Sequence, residues 1–217
     1  MAVLTISRQL GSHGGRIARA LARDLGYAFA DKALINGVIR QYGLTRLDVI
    51  YNRKPKLREL FNTDSAETIR MMNQTIEAIA ARGDVVILGR GGFKVLQGMA
   101  DVLNVFVMAP DELRAERIAR RDQISTAEAA GLIRADDELR ERFVRLFYNA
   151  GWAEPSAYDL VVDTGTQHDG AAKAEIAAAV QGLPAPAAGV RTAAGLVVDP
   201  VLRATVAEAL ARRARPA

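Results

Sequence analysis

The first 26 residues constrain the fold of this chain more than any other stretch. Val3-Leu-Thr-Ile-Ser7 is a β-rich run that leads into a turn with three glycines, Gly11-Ser-His-Gly-Gly15. Ile17, Ala18, Leu21, Ala22 and Leu25 then recur at helical spacing, and Gly26 supplies a C-terminal stop. Strand, glycine loop and helix form the opening of a βα unit, which points to a parallel sheet.

The rest of the chain keeps the alternation. Tyr27-Ala-Phe-Ala-Asp31 reads as a second strand with an acid at its C-terminal end. Asp84-Val-Val-Ile-Leu-Gly89 and Asn104-Val-Phe-Val-Met-Ala109 are near-continuous apolar runs, as in a sheet buried on both faces. Tyr158 to Asp163 is a last strand. Helices are predicted from Ala33 to near Tyr42, Ala66 to Arg82, Asp111 to Arg121, Asp136 to Tyr148 and Ala171 to Val180. A further helix starts at the capping-box pattern Ser125-Thr-Ala-Glu128. Thr45 to Thr63 is polar, basic and loop-like. The fold class is therefore α/β over residues 1–183, followed by the linker-like Pro184-Ala-Pro-Ala-Ala-Gly189. The 184–217 extension, with one Ala/Arg helix from about Pro200, is too short for a domain of its own. It could dock on the core, join copies of the chain or stay mobile.

Composition narrows the chemistry. The 217 residues suit one domain plus a short appendage. With 0 cysteines, disulfides, iron–sulfur clusters and thiol catalysis are excluded, and two histidines make no metal cage; no protein-held metal is expected. No run of about 18 apolar residues predicts a membrane span, and the start lacks a signal-peptide pattern, so a cytoplasmic protein is expected. Net charge is +4, and of 29 basic residues only five are lysines. GC-rich coding accounts for most of that arginine excess, so position must decide which guanidinium groups serve phosphate recognition.

The glycine turn is the centre of the functional argument. A glycine-rich loop entering a helix offers backbone N–H groups and a helix N-terminus to an anion. The Walker pattern is absent: aligned on it, Arg8 falls on the first glycine and Gly14 on the lysine, and the glycine spacing does not suit a dinucleotide fingerprint. Thr5-Ile-Ser-Arg-Gln-Leu-Gly-Ser-His-Gly-Gly-Arg-Ile-Ala18 nevertheless resembles the opening motif of the cytidylate kinase-like family, a variant branch of the P-loop nucleoside monophosphate kinases. Leu25-Gly-Tyr-Ala-Phe-Ala-Asp-Lys32, Val86-Ile-Leu-Gly-Arg-Gly-Gly92, Val107-Met-Ala-Pro110, Asp137-Glu-Leu-Arg140 and Tyr158-Asp-Leu-Val-Val-Asp-Thr-Gly165 follow in the order and spacing of that family.

The resemblance implies a three-layer P-loop NTPase-type fold with a parallel five-stranded sheet and with NMP-binding and lid insertions. It implies ATP-dependent phosphoryl transfer to a nucleoside monophosphate, most readily CMP or dCMP, with Mg²⁺ carried by the nucleotide. Gly11, Ser12, His13, Gly14, Gly15 and Arg16 would hold the ATP phosphates. Asp31 and Arg90 would serve the acceptor side, and the lid regions Arg114 to Arg121 and Asp137 to Arg145 would bring Arg117 and Arg140. Arg16, at the start of the first helix, and Arg8 or Arg19 are the candidate substitutes for the Walker lysine. The Mg²⁺-binding hydroxyl of an ordinary P-loop is also missing, with Ser7 and Ser12 the nearest hydroxyls.

Alternatives stay open at individual residues. Asp31 could cap a helix, His13 could be a solvated loop residue, and most arginines from Arg114 to Arg121 would be surface. Trp152 and Tyr158 read as packing residues and His168 as a surface loop residue. Partners are expected to be nucleotides; a homo-oligomer is left open. Nucleic-acid binding through Arg53-Lys-Pro-Lys56 and the Arg-rich tail ranks last, because no aromatic stacking platform accompanies the charge. The rival functions are a nucleotide-binding regulatory protein without turnover and a kinase of another small metabolite.

Overall fold

The computed structural model describes residues 1–41 and 63–214. The basic stretch Thr45 to Thr63, with Arg53-Lys-Pro-Lys56, lies outside the described residues apart from its last position.

Five parallel strands form one sheet: β1 (Val3–Arg8), β2 (Ala28–Ala30), β3 (Val85–Leu88), β4 (Val102–Met108) and β5 (Leu160–Asp163), in the order β2-β3-β1-β4-β5. The central pairings align Val3 with Val85 on one side and Val102 on the other. Every residue from Val3 to Ser7 is buried, because helices cover both faces. On one face Leu4, Ile6, Val86, Leu88, Val105 and Val107 pack against α1 (Gly14–Leu25) and α7 (Asp169–Gln181). On the other, Val3, Val85, Ile87 and Phe106 pack against α2 (Lys32–Gln41) and α3 (Thr63–Ala80). The period-two alternation of β1 thus divides the core into two layers. Thr5 and Ser7 are the polar residues of this buried run, and Thr5 Oγ1 donates to Asn104 Oδ1 across the β1–β4 pair at 2.7 Å.

A one-turn helix, α4 (Gly92–Val95), follows β3. The antiparallel pair α5 (Asp111–Asp122) and α6 (Thr126–Tyr148) projects between β4 and β5. The Ser125–Glu128 capping box is present, and the helix it starts runs unbroken through the charged segment that the sequence separated from it. Gly195-Leu-Val-Val198 forms no strand; a turn lies at Ala194 and Gly195. Beyond the exposed stretch 184–191 the chain packs on the core: Leu202, Val206 and Leu210 of α8 (Pro200–Ala214) are buried in the same cluster as α2 and α3. The Asp101 carboxylate accepts the N–H groups of Ala193 and Ala194 and fixes the connection.

Candidate active site

All five strands point their C-terminal ends at one edge of the sheet, where open α/β folds bind ligands. The glycine loop sits there, between β1 and α1. His13 takes φ +62° as the residue before α1, which lets Gly14 and Gly15 occupy the first helical turn, where N–H groups have no intrahelical acceptor. Gly14 is required by space: a Cβ there would lie 2.5 Å from Arg8 Cβ and 3.1 Å from Val107 Cβ. Ser12 is fully buried and shapes the turn from inside, its Oγ donating to the Gln9 carbonyl and accepting from the Gly14 N–H.

Arg117 lies behind this loop. Its Nη1 donates to the Gly11 carbonyl and to Thr164 Oγ1, and its Nη2 to the Thr164 carbonyl, at 2.8–3.2 Å. Thr164 in turn donates to the Ser12 carbonyl at 2.9 Å. Arg114, one turn earlier, is 1 % exposed. It pairs with Asp137 of α6 at 2.9 Å and Asp111 at 2.6 Å, and also reaches the Leu10 carbonyl. Of the arginines from Arg114 to Arg121, most of which the sequence placed on the surface, Arg114 is buried and Arg117, expected at the site, is half-buried and turned onto the loop from behind. Both clamp the α5–α6 pair onto the loop, because the carbonyls of a tight glycine turn need donors that its own backbone cannot supply.

His13 and Arg16 form a separate group. Arg16 is two-thirds exposed, and its Nε and Nη2 donate to Asp169 Oδ2 at the start of α7; His13 Nδ1 lies 2.9 Å from Asp169 Oδ1. Burial works against ionisation of Asp169, but His13 and Arg16 outweigh it and hold its carboxyl below the usual range.

Beside the loop lies a cavity of about 150 Å³ lined by Ser7, Arg8, Lys32, Arg90, Arg140 and Asp136, with Phe93, Phe143 and Trp152 as apolar walls. Four cations and one carboxylate converge there from β1, α2, the β3–α4 turn and α6. Arg90 is 6 % exposed and sits at φ +61° between Gly89 and Gly91, both at φ +74°. A bulky residue held in the left-handed region is a local strain, of a kind that clusters at functional sites. Its Nη2 donates to Asn36 Oδ1 on α2. Arg140 pairs with Asp136 one turn back and stacks over the Trp152 ring at 5.4 Å. Trp152 is thus both the packing residue foreseen and a cavity wall.

Asp31 is not among the lining residues. Its Oδ1 accepts the N–H groups of Ala33 and Leu34 as the cap of α2, and it pairs with Arg213 of α8 at 2.8 Å and Arg19 at 3.6 Å. The cap reading is the one the geometry displays; the Lys32 beside it faces the cavity. His168 caps α7 through Nδ1. Of the predicted site residues, the structure gathers Gly11 to Gly15 into the loop and brings Arg90 and Arg140 to the cavity. It leaves Arg16, Arg117 and Asp31 outside the cavity. Lys32, Asn36, Thr164 and Asp169 were not singled out, since only their place next to a strand end or a glycine turn marked them.

Comparison with known proteins bears on this arrangement. The sequence profile of the cytidylate kinase-like family matches residues 3–166. This chain belongs to that family. It is 34 % identical over 165 residues to the cytidylate kinase of Ignicoccus hospitalis, covering 76 % of this chain and 90 % of that protein. It is 28 % identical to the cytidylate kinase of Sulfolobus acidocaldarius, covering 74 % and 84 %. Among solved structures it resembles an uncharacterized protein from Eubacterium ventriosum, with TM-score 0.68 at 17 % identity over 84 % of this chain and 99 % of that one. Shikimate kinase from Bacteroides thetaiotaomicron follows the same fold at TM-score 0.51 and 14 % identity, covering 83 % and 98 %. The fold is that of the P-loop kinases. Among the described residues no helix is long and apolar enough to cross a membrane. The family profile ends at residue 166, before the 184–217 segment that carries α8.

Proposed function

We propose that this protein is a nucleoside monophosphate kinase that transfers the terminal phosphoryl group of ATP to CMP or dCMP. The observation that carries the reading is the convergence of Arg8, Lys32, Arg90 and Arg140 on one small cavity beside a glycine loop, at the C-terminal edge of a parallel sheet. Phosphoryl transfer asks a protein mainly to align two phosphates and neutralise the charge between them. Family membership and the names of the relatives supply the choice of cytidylate.

In this reading the N–H groups of the Gly11–Gly15 loop and the start of α1 hold the ATP phosphates. Arg90, fixed by Asn36, and Lys32 hold the acceptor phosphate. Arg140 reaches down from α6 and, with Phe143 and Trp152, excludes water that would otherwise hydrolyse ATP. An oxygen of the acceptor phosphate forms the new bond to the γ-phosphorus as the bond to the β–γ bridging oxygen breaks, leaving ADP. Mg²⁺ arrives with ATP, and it supplies charge neutralisation across the phosphates. Ser7 and Asp136 put a hydroxyl and a carboxylate into the cavity lining, the carboxylate paired with Arg140. Arg117 acts through the loop as a positioning residue.

The test is a coupled ADP-release assay with MgATP against CMP, dCMP, UMP, AMP and GMP, with Arg90→Ala as control. ADP formed with CMP or dCMP above the others, and lost by about 10²-fold or more in Arg90→Ala, is the expected result. ATP binding without turnover on any monophosphate would overturn the kinase reading and favour a nucleotide-binding protein.

A further inference from the structure

The geometry points to Arg8 as the catalytic cation of this loop, a guanidinium delivered from the strand before the loop in place of a lysine delivered from the helix after it. This inference rests on the kinase reading above for its reaction, though not for its binding chemistry.

Three arginines could stand in for the absent lysine. Arg16 is turned outward onto Asp169. Arg19 lies over the Phe29 ring at 4.9 Å and beside Asp31, away from the cavity. Arg8 alone of the three lines the cavity.

Its path explains two glycines in two separate motifs. The stem of Arg8 passes beneath the first residue of α1, where a Cβ at Gly14 would lie 2.5 Å from Arg8 Cβ and 3.1 Å from its Cγ. The guanidinium ends against Gly89, where any Cβ would strike Nη1. Arg8 therefore spans from the phosphate-binding turn to the β3–α4 turn that carries Arg90. A charge bridging those two turns lies between a donor phosphate on the loop and an acceptor phosphate on Arg90. The glycines at 14 and 89 keep that channel open for a planar fork.

The chemistry fits the position. As the bond to the β–γ bridging oxygen breaks, its electron pair passes to ADP and the three equatorial oxygens of the transferred group carry the charge. A guanidinium stays protonated throughout and can meet two of those oxygens at once. Rigid delivery from a buried strand also replaces the reach of a flexible lysine stem with pre-organisation.

The experiment compares Arg8→Met, Arg8→Lys and Arg16→Met for thermal stability, for the ratio of affinities for the non-hydrolysable triphosphate AMP-PNP and for ADP, and for kcat with the best acceptor. Arg8→Met is expected to lower kcat by about 10²–10³-fold and to reduce the triphosphate-to-diphosphate preference. Arg8→Lys is expected to restore part of both, while Arg16→Met changes each by less than about threefold. Unchanged kcat and unchanged affinity ratio in folded Arg8→Met would overturn the inference. So would an equal loss in Arg16→Met. If the wild-type chain binds AMP-PNP but turns over no monophosphate, the kinase reading fails. The affinity ratio then decides Arg8 alone: a preference lost in Arg8→Met and regained in Arg8→Lys supports it, and a preference unmoved by either overturns it.

Discussion

Arg90 shows how backbone and side chain make opposite demands at one residue. At φ +61° the position favours glycine, yet it carries a cation into the cavity lining. Arg90→Ala keeps the left-handed backbone without the guanidinium, whereas Arg90→Gly also relieves the strain. Urea denaturation should therefore find Arg90→Gly more stable than Arg90→Ala by about 0.5–1 kcal/mol, with both variants inactive. The loop glycines divide in a similar way. A methyl at Gly14 meets Arg8 and Val107, both anchored in the sheet, so Gly14→Ala should cost about 1–3 kcal/mol. A methyl at Gly15 would meet only Leu88 Cδ2, in ordinary contact at 4.0 Å. Gly15→Ala should leave the melting temperature equal or higher, because alanine favours the helix.

Among the elements, the α5–α6 pair depends on the buried Arg114–Asp137 contact. Removing one partner strands the other charge. Arg114→Met alone should cost about 3–5 kcal/mol, and adding Asp137→Leu should recover part of that loss in a double-mutant cycle by denaturation. Helix α2 carries both Lys32 and Asn36 into the site, and its N-terminus is fixed by Asp31. Burial works against ionisation of that carboxyl, but the N–H groups of Leu34 and Ala33 and the Arg213 guanidinium hold it below the usual carboxylate range. A depressed native value means the stabilisation is complete above the unfolded value of about 3.9 and is lost as pH falls through the native one. Melting temperatures of wild type and Asp31→Asn should differ at pH 6–8 and converge in acid, below the native value.

Across the whole molecule, α8 acts as a brace for α2 and α3. It buries Leu202, Val206 and Leu210 against α2 and α3 and places Arg213 on the cap of α2. Each of those side chains contributes about 1.5–3 kcal/mol of burial. A chain ending at Val198 should melt lower and show a raised KM for the acceptor, with the KM for ATP little changed, in steady-state kinetics. Equal rises in both would mean that α8 serves global stability alone.

The parallel sheet, the order of its helices and the glycine loop were legible in the sequence, because they rest on local periodicity and turn chemistry. The continuous apolar runs of β3 and β4 and the capping box at Ser125 are such local signals. Arg90 was legible through its place at a strand end between glycines. What the sequence left undecided was the direction of each long cationic side chain. Arg8, Arg16, Arg114 and Arg117 are alike as letters, but one enters the cavity, one turns out onto Asp169 and two clamp the loop from behind. Their destinations depend on distant partners such as Asp137 and Asp169, 23 and 153 residues away. No local rule contains such partners, and only tertiary packing brings them within reach.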